Sequence, residues 1–145
     1  MTLLELIIAC AILLILSSAA LPIAKYTIIR QKEAELRRDL REMKDAIDRY
    51  KDAADRNQIR VEIGSEGYPP DLETLVKGVQ LGASSDRKIR CLRKIPVDPM
   101  TGRAEWGLRA VQDDPDSTSW GGKNVFDVYS KSTGTALDGT KYSDW

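Results

Sequence analysis

The sequence contains no histidine and only two cysteines, and its basic and acidic residues balance at 22 each. Without histidine the chain lacks the commonest general base near neutral pH and the commonest transition-metal ligand. Two cysteines, Cys10 in an apolar run and Cys91 far away in the polar part, cannot build a disulfide framework. Cys10 reads as a small apolar residue and Cys91 as a buried thiol rather than a reactive one. A balanced charge with no basic block argues against a nucleic-acid partner. No G-x-S-x-G, Walker or G-x-G-x-x-G pattern occurs, and no repeat of 20 to 50 residues is visible. The expectation is a protein that is not an enzyme.

What is present begins with MTLLELIIACAILLILSSAALP. Residues 3–21 are apolar apart from Glu5, Ser17 and Ser18, about the ~20 residues a helix needs to cross a bilayer. No basic residue precedes the run, and the following segment continues as a helix. It therefore reads as a retained anchor rather than a cleaved signal. Ile29, Leu36, Leu40, Met43, Ile47, Tyr50 and Ala54 then recur at helical spacing, with mixed charges between them that read as a solvated face. Joined, the two blocks make one helix of about fifty residues, roughly 75 to 80 Å long. Pro22, at the join, is expected to kink or loosen it. A helix of that length exceeds what the following ninety or so residues can cover, so its first half needs lipid or neighbouring chains.

The fold class expected is α+β, a long N-terminal helix on a small head with short helices and an antiparallel sheet. The organisation is residues 1–24 as a membrane and filament-core helix, 25–55 as its amphipathic continuation, and 56–145 as the head. Within the head, residues 57–67 read as a loop with a short extended piece. Asp71 caps a helix running to Lys77 and ended by Gly78. A second short helix is placed at 87–94, IPVDPMTG is turn chemistry, and AEWGLRAV and NVFDVYS are two antiparallel strands. The polar tail STGTALDGTKYSDW is ordered only if something staples it. Trp106, Trp120 and Trp145 read as head core.

Three sets of residues are candidates for chemistry. Asp127, Asp138, Asp144, Ser130 and Ser143 offer oxygen donors of the kind Ca²⁺ takes, without EF-hand spacing; turn capping explains them as well. Asp113, Asp114 and Asp116 crowd into a hydrophilic loop with no sign of desolvation. Glu5 differs in kind, because an acid within a spanning helix is costly. Either it rests in the headgroup zone, or it meets a cation at the same depth. The only cation near it is the Met1 amine, of the same chain or of another, since Lys25 is the first basic side chain.

The N-terminal MTLLELIIACAILLIL, with Thr2, Glu5 and Pro22, resembles the processed N-terminus of type IV pilin-like proteins. YPPDLETLV, LRKIPVDPMTG and NVFDVYS with the closing DW further resemble the major, G-type pseudopilins of type II secretion systems, over nearly the whole chain. The resemblance implies a homo-polymer of identical subunits forming a helical filament. Its implied partners are minor pseudopilins, a prepilin peptidase, an inner-membrane assembly platform with its ATPase, and membrane lipid. It implies that Met1 is N-methylated after leader cleavage, that Met1, Thr2, Glu5 and Pro22 serve assembly, and that the protein is single-pass in a bacterial inner membrane with its head in the periplasm. The alternative within the superfamily is an extracellular pilus for adhesion, motility or DNA uptake; the single head cysteine, Cys91, counts against the disulfide-closed loop of such pilins.

Two departures accompany the match. Met1 stands where the family usually has Phe, and it also suits a translational start. Family members commonly bind Ca²⁺ in the last loop through acids that the matching SKSTGT and KYSD stretches lack or shift, so no cofactor is expected, and Ca²⁺ only in a loop rebuilt around Asp138. Lys25, Arg30 and Lys32 follow the apolar run, and by the positive-inside tendency alone would hold the head in the cytoplasm; a basic leader of the family type reverses that bias.

Overall fold

The computed structural model describes residues 1–83 and 86–145. The chain is α+β. Its elements are helix α1 (Leu3–Asp55), helix α2 (Leu72–Lys77), strands β1 (Val79–Gln80), β2 (Lys88–Ile89), β3 (Trp106–Arg109) and β4 (Asp127–Ser130), and a closing 3₁₀ turn (Tyr142–Asp144).

Both ends of α1 are fixed by local chemistry. At the start Thr2 and Glu5 form a capping box, and Glu5 lies in the first turn, where the helix dipole favours an acid. At the end Asn57 takes a left-handed φ of 56°. The amides of Asn57 and Gln58 then turn back to the carbonyls of Ala54 and Ala53, closing the helix as a Schellman motif in which asparagine fills the usual glycine position. The 53 residues between span about 80 Å. Pro22 does not divide them. The helix runs unbroken through it, so the missing N–H costs one ladder bond, to the Ser18 carbonyl, and no helical turn is lost.

The second half of α1 carries the core. Leu36, Met43 and Ile47 are wholly buried, and Leu40, Tyr50 and Ala54 nearly so, together with Leu75, Leu92, Trp106, Val125 and Val128 of the head. Ile29, the first member of the periodic stripe, is only half-buried because the head ends below it.

Among the described residues the head contains two antiparallel strand pairs. β3 and β4 pair with Trp106 opposite Ser130 and Gly107 opposite Tyr129. Gly107 is required there, because any Cβ would collide with the Tyr129 ring that lies across it. Helix α2 forms as expected, with Asp71 Oδ1 accepting from the Thr74 amide at 2.7 Å and Gly78 turning out at φ 86°.

The short helix expected at 87–94 is not formed. Lys88–Ile89 is instead a strand paired with Val79–Gln80, and the next amides, Cys91 and Leu92, both donate to the Leu75 carbonyl of α2. The end of α2 and its neighbouring strand supply hydrogen bonds that an eight-residue helix would have had to make internally. The extended piece of the 57–67 loop is Ile59, bridged to Leu81, while Val61 and Ile63 are exposed.

Candidate functional site: the free helix and the clasped tail

Every residue from 1 to 28 is exposed. This stretch contains the one helical segment of the described residues long and apolar enough to cross a membrane, and none of it is buried against the head. Thr2 and Glu5 are joined by the capping box at its start, Met1 precedes them outside the helix, and Pro22 lies seventeen positions beyond Glu5 along the same helix.

Glu5 has a partner within its own chain, which the charge argument did not supply. Its amide donates to Thr2 Oγ1 at 3.2 Å, and its Oε2 accepts from the Thr2 amide at 3.3 Å. The sequence signal was the spacing Thr-x-x-Glu just ahead of an apolar run. The cap uses Oε2; among the described residues Oε1 has no partner, and neither Glu5 nor the Met1 amine takes part in an ion pair. The carboxylate can therefore close its own helix and still receive a cation from outside the chain.

At the other end of the molecule the tail is stapled to α1. Glu33 Oε1 accepts from the Leu137 amide and from the Tyr142 hydroxyl, each at 2.9 Å. The Arg37 guanidinium lies 4.2 Å over the Trp145 ring and 3.4 Å from Asp138 Oδ2. Trp145 stacks edge-on against Tyr142 and donates through its indole nitrogen to Thr140 Oγ1 at 2.7 Å. Burial, and the carboxylate of Glu33 that accepts the Tyr142 proton, push the Tyr142 phenol up to about 12.

The clasp already engages oxygens that a calcium site in this loop would draw on. Asp138 Oδ1 already caps Thr140 through its amide and hydroxyl, and Oδ2 faces Arg37. Asp127 sits between Lys44 (3.3 Å) and Arg109 (3.6 Å), and Ser130 donates to buried Asp98. Ca²⁺ takes six to eight oxygens, yet among the described residues no three His, Cys, Asp or Glu side chains converge. The carboxylates in place do not form a cage that fits the ion, and the Arg37 guanidinium already faces Asp138.

The remaining candidates are structural. Asp113 accepts from the Ala110 and Gly121 amides at 2.8 and 3.0 Å, which holds its carboxyl below the ordinary range. Cys91 is buried, and burial pushes its thiol up; Cys10 is exposed on the helix. Trp106 is core and donates to the Pro96 carbonyl, but Trp120 lies at the surface, 39% exposed, its indole N–H donating to the Asn124 carbonyl across a turn. Trp145 is half-buried, as part of the clasp.

A long apolar N-terminal helix carrying a small sheet-containing head is compatible with a pilin-like fold. No family model, no curated protein and no solved structure matches this chain.

Proposed function

We propose that this chain is a structural subunit that polymerises into a helical pseudopilus supporting protein secretion across an outer membrane. The observation that carries the reading is the complete exposure of an apolar helical half. A helix apolar all round is stable in water only if surrounded. Before assembly lipid surrounds it; in the filament, copies of itself do. The Glu5 carboxylate then receives the Met1 amine of an adjoining copy, and because an unpaired charge in such a setting costs several kcal/mol, that pair fixes the axial register.

The likeness of the N-terminal and head motifs to G-type pseudopilins adds the remainder: N-methylation of Met1 after leader removal, a periplasmic head, and partners that include minor pseudopilins, the processing peptidase and the assembly platform. The work is mechanical rather than catalytic. A loop closed by Glu33 and Arg37 instead of a disulfide supports the secretion filament over an adhesive pilus.

The test separates charge from capping. Glu5→Gln keeps a residue that can complete a capping box but removes the charge. The variant is expected to insert and fold normally and to form almost no fibres by electron microscopy, against abundant thin helical fibres from the wild type. Normal fibres from Glu5→Gln would refute the pairing role, and a wild-type protein that stays monomeric in lipid would refute the reading as a whole.

A further inference from the structure

The edge of the head nearest the apolar helix carries spare positive charge and an uncovered apolar side chain. A groove of about 550 Å³ runs there between α1 and the tail, lined by Arg30, Glu33, Arg37, Arg41, Leu137 and Asp138. Three guanidiniums against two carboxylates leave this lining one positive charge in excess. Both acids are already engaged: Glu33 Oε1 accepts from the Leu137 amide and the Tyr142 hydroxyl, and Asp138 faces Arg37. Among the described residues Arg30 and Arg41 have no ion-pair partner, and both are exposed. Eleven positions separate them, about three helical turns, so they stand on one side of α1 with Arg37 between. Leu137, 41% exposed, has its backbone pinned to Glu33 while its side chain stays outside the core.

The distance of this edge from the apolar helix determines what it meets. Leu6 to Lys25 is twenty residues, which matches the ~30 Å hydrocarbon thickness of a bilayer. Glu5 and Lys25 then mark its two boundaries, and exposed Tyr26 falls in the interfacial belt that tyrosine favours. Arg30 stands five positions beyond Lys25. That is about 7.5 Å along the axis, while each headgroup layer is roughly 5 to 7.5 Å deep. Helical side chains lean toward the N-terminus, which carries the Arg30 guanidinium back among the phosphates. Leu137, fixed about one turn farther out at Glu33, faces the same layer from above.

We infer that this groove docks an anionic phospholipid of the membrane that holds α1. Arg30 takes the phosphate, Arg41 adds a second cation farther out, and Leu137 shields the pair from water, which strengthens it. A lipid of net negative charge is selected over a zwitterionic one. The ammonium of the latter is repelled by Arg30 and Arg41 and finds both groove acids occupied. Occupancy keeps the tail clasped to α1 and the head against the bilayer. The inference rests on the membrane-anchored state in the reading above, not on the filament itself.

Hydrogen exchange tests the contact in the full chain, reconstituted in vesicles of phosphatidylcholine alone or of phosphatidylcholine and phosphatidylglycerol in equal parts. The Leu137 amide is expected to exchange about fivefold more slowly with phosphatidylglycerol present, the gain one basic residue makes near an anionic surface. Arg30→Gln is expected to abolish that difference. It should leave exchange in phosphatidylcholine alone unchanged, since among the described residues Arg30 has no ion-pair partner to lose. An inserted protein whose tail exchanges equally in both vesicles would overturn the contact and leave the filament reading intact, as would Arg30→Gln keeping the full difference. Equal slowing by inorganic phosphate in detergent would assign the groove to a free anion and also overturn it. A chain that fails to insert into either vesicle would remove the contact together with the membrane-anchored reading.

Discussion

The two halves of α1 share one continuous backbone and one set of hydrogen bonds but have opposite relations to the rest of the chain. Residues 1–28 are exposed throughout, while between Leu36 and Ala54 nine side chains are buried under the head. The apolar content of the first half is greater, yet it is the half left uncovered. What separates them is pattern. A stripe of apolar positions at three- and four-residue spacing can be satisfied by one small head on one side, whereas a helix apolar on every side can be satisfied only by a surrounding medium or by several copies. The second half is folded by its own chain, and the first is left uncovered by it.

The sharpest way to break that comparison is to remove residues 1–24. The expected result is a protein soluble without detergent that forms no fibres, with head stability within about 0.5 kcal/mol of the full chain, measured by thermal melting and electron microscopy. A head that unfolds on truncation would show that the halves are coupled.

Point substitutions sharpen it further. Ile47→Ala, at a fully buried position, is expected to cost the head about 2 to 5 kcal/mol in denaturant unfolding. Ile15→Ala, at an exposed position in the free half, is expected to leave the same transition within about 0.5 kcal/mol.

An effect smaller than that of Ile47→Ala belongs to the tail. Glu33→Ala removes the acceptor shared by the Leu137 amide and the Tyr142 hydroxyl and is expected to cost about 1 to 3 kcal/mol, seen as faster hydrogen exchange at Leu137. The Tyr142 phenol, held up at about 12, should titrate nearer its ordinary value of 10 in the variant. In the wild type the raised phenol contributes stability that is complete below pH 10 and is lost as pH rises through about 12. Calcium or a chelator is expected to leave the wild-type transition unmoved; a calcium-dependent shift would contradict the donor geometry of the clasp.

Much of this arrangement was legible in the residues. The periodic stripe from Leu36 to Ala54 is buried as its spacing requires, Asp71 and Gly78 bound α2, and the Trp106 and Tyr129 segments pair as strands. Those signals are local, so they survive without knowledge of the fold. The capping role of Glu5 is equally local, announced by the Thr-x-x-Glu spacing, although the cost of its charge alone does not predict it. The misplaced helix at 87–94 failed for a different reason: its amides are claimed by Leu75 and its strand by Val79, partners that come together only in three dimensions. Trp120 looked like core because tryptophan usually is, and the Asn124 carbonyl that holds it at the surface is invisible to composition.

By itself the sequence determined the long helix, the division of that helix into an all-round apolar half and a one-sided half, and the absence of histidine-based chemistry. These depend on periodicity and residue type alone. Only the tertiary structure decided that Glu33 and Arg37 of α1 would hold the tail, more than a hundred positions away. The same holds for Asp138, which faces a guanidinium where oxygen donors for a metal would be needed. Contacts of that kind are set by where the head docks along the helix, and that position is a property of the packed core rather than of any short run of residues.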